Sequence, residues 1–325
     1  MTSLRRIACL GPAALMLPAV AAAHGDVDEH AAHLSDLPWS SEWWIWIPLL
    51  ASLALYIAGM RQVWSTASAP RLPAHRKEVA AYMLGWLALA VALVSPLHPW
   101  GRLLFSAHMA QHEILMVVAA PLLVLGRPLV PFSRALSPAI LRGLAAFVRS
   151  RPLGAVRRLW AWLTLPLVAW VVHAAALWIW HVPRLFESTI DNEWIHFLQH
   201  ASFFGTALLF WWAIVRERPG TAGYGAAVLY LFTTAAHSGA LGALLSLARR
   251  SLYPAYAGTT AAWGLTPLED QQLGGLIMWV PAGAIYAAAA LALLLAWLRD
   301  SEQRMAARER LAAAAADASA EAQVS

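Results

Sequence analysis

The stretch that decides the fold is His108-Met109-Ala110-Gln111-His112-Glu113-Ile114-Leu115-Met116-Val117-Val118-Ala119-Ala120-Pro121-Leu122-Leu123-Val124-Leu125. It carries one carboxylate, no lysine and no arginine. At 1.5 Å per residue it reaches about 27 Å, close to the roughly 30 Å of a bilayer's hydrocarbon core. An apolar run of that length reads as a membrane helix. The two histidines at its start then fall near the membrane boundary, where an ionisable group is costly without a partner or a task.

Working outward, six further segments are long enough to span: about 43–60, 79–97, 159–180, 197–215, 226–247 and 273–298. The composition agrees, since 60% of the 325 residues are hydrophobic, 13% are charged and 18 are Trp. A soluble chain averages about 45–50% apolar and roughly 25% charged. We therefore expect an all-α membrane protein, a bundle of seven transmembrane helices. Pro48, Pro96, Pro121, Pro166 and Pro281 should kink helices or sit near their ends. Trp39, Trp43, Trp44, Trp46, Trp178, Trp180, Trp211 and Trp212 fall near the expected interfaces, where indoles are favoured.

Residues 1–23 read as a signal peptide: Arg5 and Arg6, an apolar run, then Ala21-Ala22-Ala23. An uncleaved first span is the other reading. Residues 24–42 form an exported segment rich in histidine and acid, 43–298 the membrane domain, and 299–325 a tail. That tail should be helical to about Leu311 and disordered beyond it. Excluding the two signal arginines, 17 basic residues fall on the side expected to be cytoplasmic and four, Arg102, Arg184, Arg249 and Arg250, on the other. This split predicts the N-terminus outside and the C-terminus inside. Residues 128–158 intersperse arginine with apolar residues and suit either an interfacial helix or a solvated connection. The basicity is thus topological and implies no nucleic acid. The single Cys9 leaves the mature chain no disulfide or thiolate site. Nucleotide-binding and hydrolase motifs are absent, so catalysis is not expected.

Eleven of the twelve histidines avoid the arginine-rich side; His75 alone falls on it. His108 and His112, four apart, lie about 40° around and roughly 6 Å along one helix. His196 and His200 repeat that spacing at the start of another, and His181 ends a third. Such imidazoles suit copper, zinc, iron or nickel; as interfacial anchors or hydrogen-bonding residues they would need no metal. Asp270 is a candidate ligand, a group that orients a ligand histidine, or a helix cap. Met109, Met116 and Met278 offer thioethers but equally suit packing, and Glu113 is a candidate proton or hydrogen-bond partner. His24, His30 and His33 suit either a metal-collecting arm or a solvated acidic segment. Opposed histidines, including the deeper His173 and His237, would alternatively hold haem b in an electron-transfer protein.

The run from His108 through Gly126-Arg127-Pro128, Trp180-His181-Val182-Pro183, His196 to His200 with Trp211-Trp212, Leu241 to Leu245 with Tyr253-Pro254-Ala255-Tyr256, and Asp270-Gln271-Gln272-Leu273-Gly274-Gly275 to Trp279 together resemble the integral-membrane CtaG-type cytochrome c oxidase assembly family. The resemblance covers about 43–298. It implies a multi-pass protein of the bacterial plasma membrane that assists assembly of a haem-copper oxidase, at the step of copper insertion. The partners implied are oxidase subunits and periplasmic copper chaperones. On that reading His108, His112, His181, His196 and His200 hold copper and Asp270 supports them; the role of His24, His30 and His33 in capturing the ion rests on their residue chemistry alone and not on the resemblance.

Overall fold

The structure, a computed structural model, describes residues 39–66, 71–216 and 221–324. The expected signal peptide and His24, His30 and His33 lie outside the described residues. No strand occurs among those described. In chain order the helices are α1 (Trp43–Thr66), α2 (Leu72–Val94), α3 (Leu97–Leu103), α4 (Phe105–Leu125), α5 (Leu129–Ala135), α6 (Pro138–Arg149), α7 (Gly154–Leu163), α8 (Pro166–Trp180), α9 (Pro183–Asp191), α10 (Glu193–Arg216), α11 (Thr221–Ser246) and α12 (Pro267–Val324). Six of them, α1, α2, α4, α10, α11 and α12, are long and apolar enough to cross a membrane, and a bent pair ending in α8 makes up to seven.

That pair revises the expected continuous span 159–180. Segments Arg151–Leu163 and Pro166–Trp180 meet at 85°. Proline disfavours helical geometry in the residue before it, and Leu165 is accordingly extended at φ −66°, ψ 134°, with Pro166 in the first turn of α8. The same logic separates α2 from α3, where Ser95 is extended ahead of Pro96. Pro48 and Pro281, by contrast, sit inside α1 and α12. The tail also departs from expectation: its alanine-rich end continues α12 to Val324, because alanine is the strongest helix former.

Small residues let the helices approach. A Cβ on Gly275 would lie 2.6 Å from the Gly242 carbonyl oxygen, so α11 and α12 touch backbone to backbone, the close packing that membrane helices favour. Tyr56 and Tyr82 stack at 3.6 Å between ring centroids, and Tyr56 donates to the Gly126 carbonyl at 2.9 Å, tying α1 and α2 to the end of α4. Two tryptophans placed at interfaces by sequence hold the bundle together instead. Trp180 donates to Ser202 Oγ at 2.7 Å, and buried Trp211 to the Met116 carbonyl at 2.9 Å. The latter carbonyl belongs to a π-helical turn, Ile114–Ala119, within α4.

Candidate metal centre

The first turns of α4 and α10 carry one pattern each: His108-Met109-Ala110-Gln111-His112 and His196-Phe197-Leu198-Gln199-His200. Both helix starts are capped. Asn192 Oδ1 accepts from the backbone N–H groups of Trp194 and Ile195 at 2.9 and 3.2 Å, opening α10. Asp270 of α12 accepts from Phe105 N at 2.6 Å, Ser106 N at 3.1 Å and the Ser106 hydroxyl, opening α4. A carboxylate suits the positive end of a helix dipole. Asp270 therefore fixes the helix that bears His108 and His112. With both its oxygens engaged by that turn, it is a poor metal ligand, and the cap it forms is on α4, not on its own helix.

The caps bring the histidine pairs face to face. Ring centroids of His108 and His112 lie 4.3 Å apart, those of His112 and His200 5.0 Å, and those of His108 and His200 5.7 Å. The three rings are nearly perpendicular to one another, at 80°, 87° and 73°, and all three side chains are buried. One ring nitrogen from each lies within 4.8 Å of the others. Imidazoles pointing edge-on at a common centre can share one ion with metal–nitrogen bonds near 2 Å. His98 of α3, His196 and His200 form a second trio with ring nitrogens equally close, but there His98 and His196 stack almost parallel, at 14° and 5.3 Å. Parallel rings set apart do not direct their lone pairs at one point.

Hydrogen bonds separate the two trios further. Gln111 donates from its amide nitrogen both to the Ala92 carbonyl at 2.7 Å and to His98 Nδ1 at 3.1 Å. A neutral His98 then carries its proton on Nε2 and has its lone pair engaged. In His108, Nδ1 faces the Gly101 carbonyl at 3.2 Å, to which Tyr256 donates at 2.9 Å. His108 Nε2 faces Gln199 Oε1 at 3.0 Å, so the ring either donates from Nε2 to that oxygen or, with its proton on Nδ1, needs the amide turned to present its NH2. His181 donates from Nδ1 to the Leu177 carbonyl at 2.6 Å, and its buried Nε2 meets no partner. Neither nitrogen of His112 has one; Gln199 faces it at a geometry short of a hydrogen bond. His196 and His200 meet Nε2 to Nε2 at 3.1 Å, so one donates and the other accepts.

Orienting one ring nitrogen through a backbone carbonyl while the other stays available is how proteins prepare a metal-binding histidine; His181 shows that arrangement in full, whereas His108 would exchange its Gln199 contact for a metal. Burial also keeps His181 and His98 neutral. Loss of hydration brings the His181 pKa down to about 4 against the opposing bond to Leu177, and the His98 pKa down to about 4 with help from the Arg102 charge. Arg102 itself pairs with Glu193 at the rim, and Glu42 nearby is shifted upward by burial and by Glu193.

Of the histidines singled out by sequence, the structure gathers His108, His112, His196 and His200, with His181 6.5 Å from His112 between centroids and outside both trios. It does not gather His173, which bonds to Thr206 Oγ1 at 3.0 Å and stacks on Phe210, or His237, against Trp170. Glu113 is buried with Oε2 unpartnered. Met109 and Met278 pack with Phe105 and Phe186 in one apolar cluster, and Met116 packs in the main core. Sequence reasoning did not place His98, Gln111 or Gln199 in the site. The signal was present: a glutamine between the histidines of both pairs, a polar group that an apolar helix would not carry idly.

The profile of the cytochrome c oxidase caa3 assembly factor family (Caa3_CtaG) matches residues 54–300. Among curated proteins, the chain is 28% identical over 242 residues to uncharacterized proteins of Mycobacterium bovis and Mycobacterium tuberculosis, covering 70% of this chain and 35% of each relative. It is 27% identical over 267 residues to one of Mycobacterium leprae, covering 78% of this chain and 38% of that protein. The chain thus spans little more than a third of the length of these relatives. No solved structure matches.

Proposed function

Because the chain belongs to the cytochrome c oxidase caa3 assembly factor family, we propose that it binds copper in transit to a haem-copper oxidase and releases it by ligand exchange to an oxidase subunit in the same membrane. The observation that carries this reading is the buried trio His108, His112 and His200, which brings one ring nitrogen from each within 4.8 Å of the others and includes an imidazole with neither nitrogen satisfied. His196 and His181 stand beside the trio as exchange ligands, Asp270 holds α4 in place, and His24, His30 and His33 collect the ion ahead of it. The copper is cargo, and no chemical conversion is asked of the protein. In this reading α8, entered through the bend at Pro166, completes the seventh crossing, residues 1–23 direct export, and the histidine end faces outward from a bacterial plasma membrane. Periplasmic copper chaperones would supply the ion from that side.

The alternative, haem b held between opposed histidines, is less favoured by the trio: its centroid separations of 4.3 to 5.7 Å leave no room for a macrocycle between those rings. Purified protein, copper-loaded and washed, tests both. About one copper per chain with no Soret band is expected, with the copper lost in a His108→Ala/His200→Ala variant together with oxidase maturation. Unchanged copper and unchanged oxidase in that variant would overturn the proposal, and a stoichiometric Soret band would favour haem.

A further inference from the structure

The opposite end of the bundle carries a surface that the copper reading leaves unused. Between Arg127 and Glu187 the chain holds no acidic residue, yet residues 127–158 contain seven arginines. Here α6 is strongly two-faced. Ile140, Leu144 and Phe147, at spacings of four and three, share one face and are 55%, 45% and 64% exposed, while Ala145 on another face is buried. Exposed Arg142 and Arg149 lie roughly opposite the apolar face. In α7, Val156, Leu159 and Trp162 are likewise exposed, with Arg158 beside them. Arg157 is used internally: it donates to the carbonyls of Val148 and Ser150 at 2.6 and 2.8 Å and so locks the corner between α6 and α7.

The 85° bend at Pro166 fixes what this surface meets. If α8 crosses the bilayer, a segment turned nearly perpendicular to it at its end lies along the membrane plane. Large exposed apolar residues in water would be a liability there. The headgroup boundary takes such a helix with its apolar face down and its arginines among the phosphates.

We propose that α6 and α7 form an interfacial platform that binds an anionic phospholipid leaflet, with Arg142, Arg149 and Arg158 selecting acidic headgroups. Each such arginine near an anionic surface favours contact by about fivefold. The platform does not depend on the copper site and should survive its removal.

The test uses the full chain with Cys9→Ser, in nanodiscs of phosphatidylcholine alone or mixed with phosphatidylglycerol, carrying a spin label at Phe147→Cys, Val156→Cys or, as a control on the projecting part of α12, Arg308→Cys. With phosphatidylglycerol present, the labels at 147 and 156 should be open to oxygen and shielded from a water-soluble nickel reagent, unlike the control. An Arg142→Gln/Arg149→Gln/Arg158→Gln variant should lose that dependence on phosphatidylglycerol while keeping its copper content. Native mass spectrometry of the unmutated chain should retain phosphatidylglycerol over phosphatidylcholine by at least about threefold, a readout that needs no variant. Water-like labels in both lipids, as for a free loop or a face that docks another protein, would overturn the proposal, as would lipid-like labels or lipid retention indifferent to headgroup charge.

Discussion

A buried imidazole with both nitrogens unpaired should make the metal-free protein less stable than it could be, and His112 allows that idea to be measured. Replacing it by leucine removes one unpaired donor and one unpaired acceptor, each costing about 1–3 kcal/mol when buried. The change also forfeits the edge contact with Phe203, 4.7 Å between centroids, an aromatic pairing worth about 0.5–1.5 kcal/mol. Net, His112→Leu should stabilise the chelator-treated protein by about 1–3 kcal/mol while lowering its copper content well below one per chain. Unfolding in a detergent titration, followed by tryptophan emission, and elemental analysis of the loaded protein give the two numbers. A variant that is less stable than wild type by more than about 1 kcal/mol would show that His112 has a structural task. One that keeps its full copper would remove the residue from the site.

Asp270→Asn keeps the shape of the cap on α4 but sets an amide NH2 against backbone donors and discards the charge at the helix start, so a loss of about 2–4 kcal/mol is expected. Copper uptake should weaken as His108 and His112 lose their placement; an unfolding curve indistinguishable from wild type would contradict the cap. The depressed pKa values of His98 and His181, about 4 each, give a pH signature. Between about 6.5 and 4 the unfolded chain takes up two protons that the folded one refuses. The contribution of these two rings to metal-free stability should therefore be constant above about pH 7 and fall by up to about 2.7 kcal/mol per pH unit below 6.5. A midpoint that does not move over that range would show that these rings accept protons in place.

Span existence was readable because an 18-residue apolar run has few alternatives to a membrane helix, and the i, i+4 histidine pairs were readable because helical geometry fixes which side chains share a face. What lay hidden was whatever depended on two segments at once. Asp270 looked like a ligand or a cap on its own helix, since no local pattern reveals that it reaches α4, 164 positions away. His98 looked like the outer end of a helix rather than a ligand, because its position beside His196 follows from the turn at Ser95 and Pro96. Trp211 looked interfacial until the carbonyl that receives its N–H was known. Pro166 was recognised as a break, but its angle could not be inferred from one residue.

The wide turn at Ile114–Ala119 splits α4 into two independently phased halves. In a regular helix, one residue more or less would swing everything beyond it by about 100°, and a π turn absorbs such a shift locally. Above it, His108 and His112 are aimed at α10. Below it, Leu123 is pressed against Gly85 of α2. A one-residue change inside the turn can therefore rotate either half without turning the other, so the aim of the two histidines and the seating of the lower half against α2 are mechanically separable.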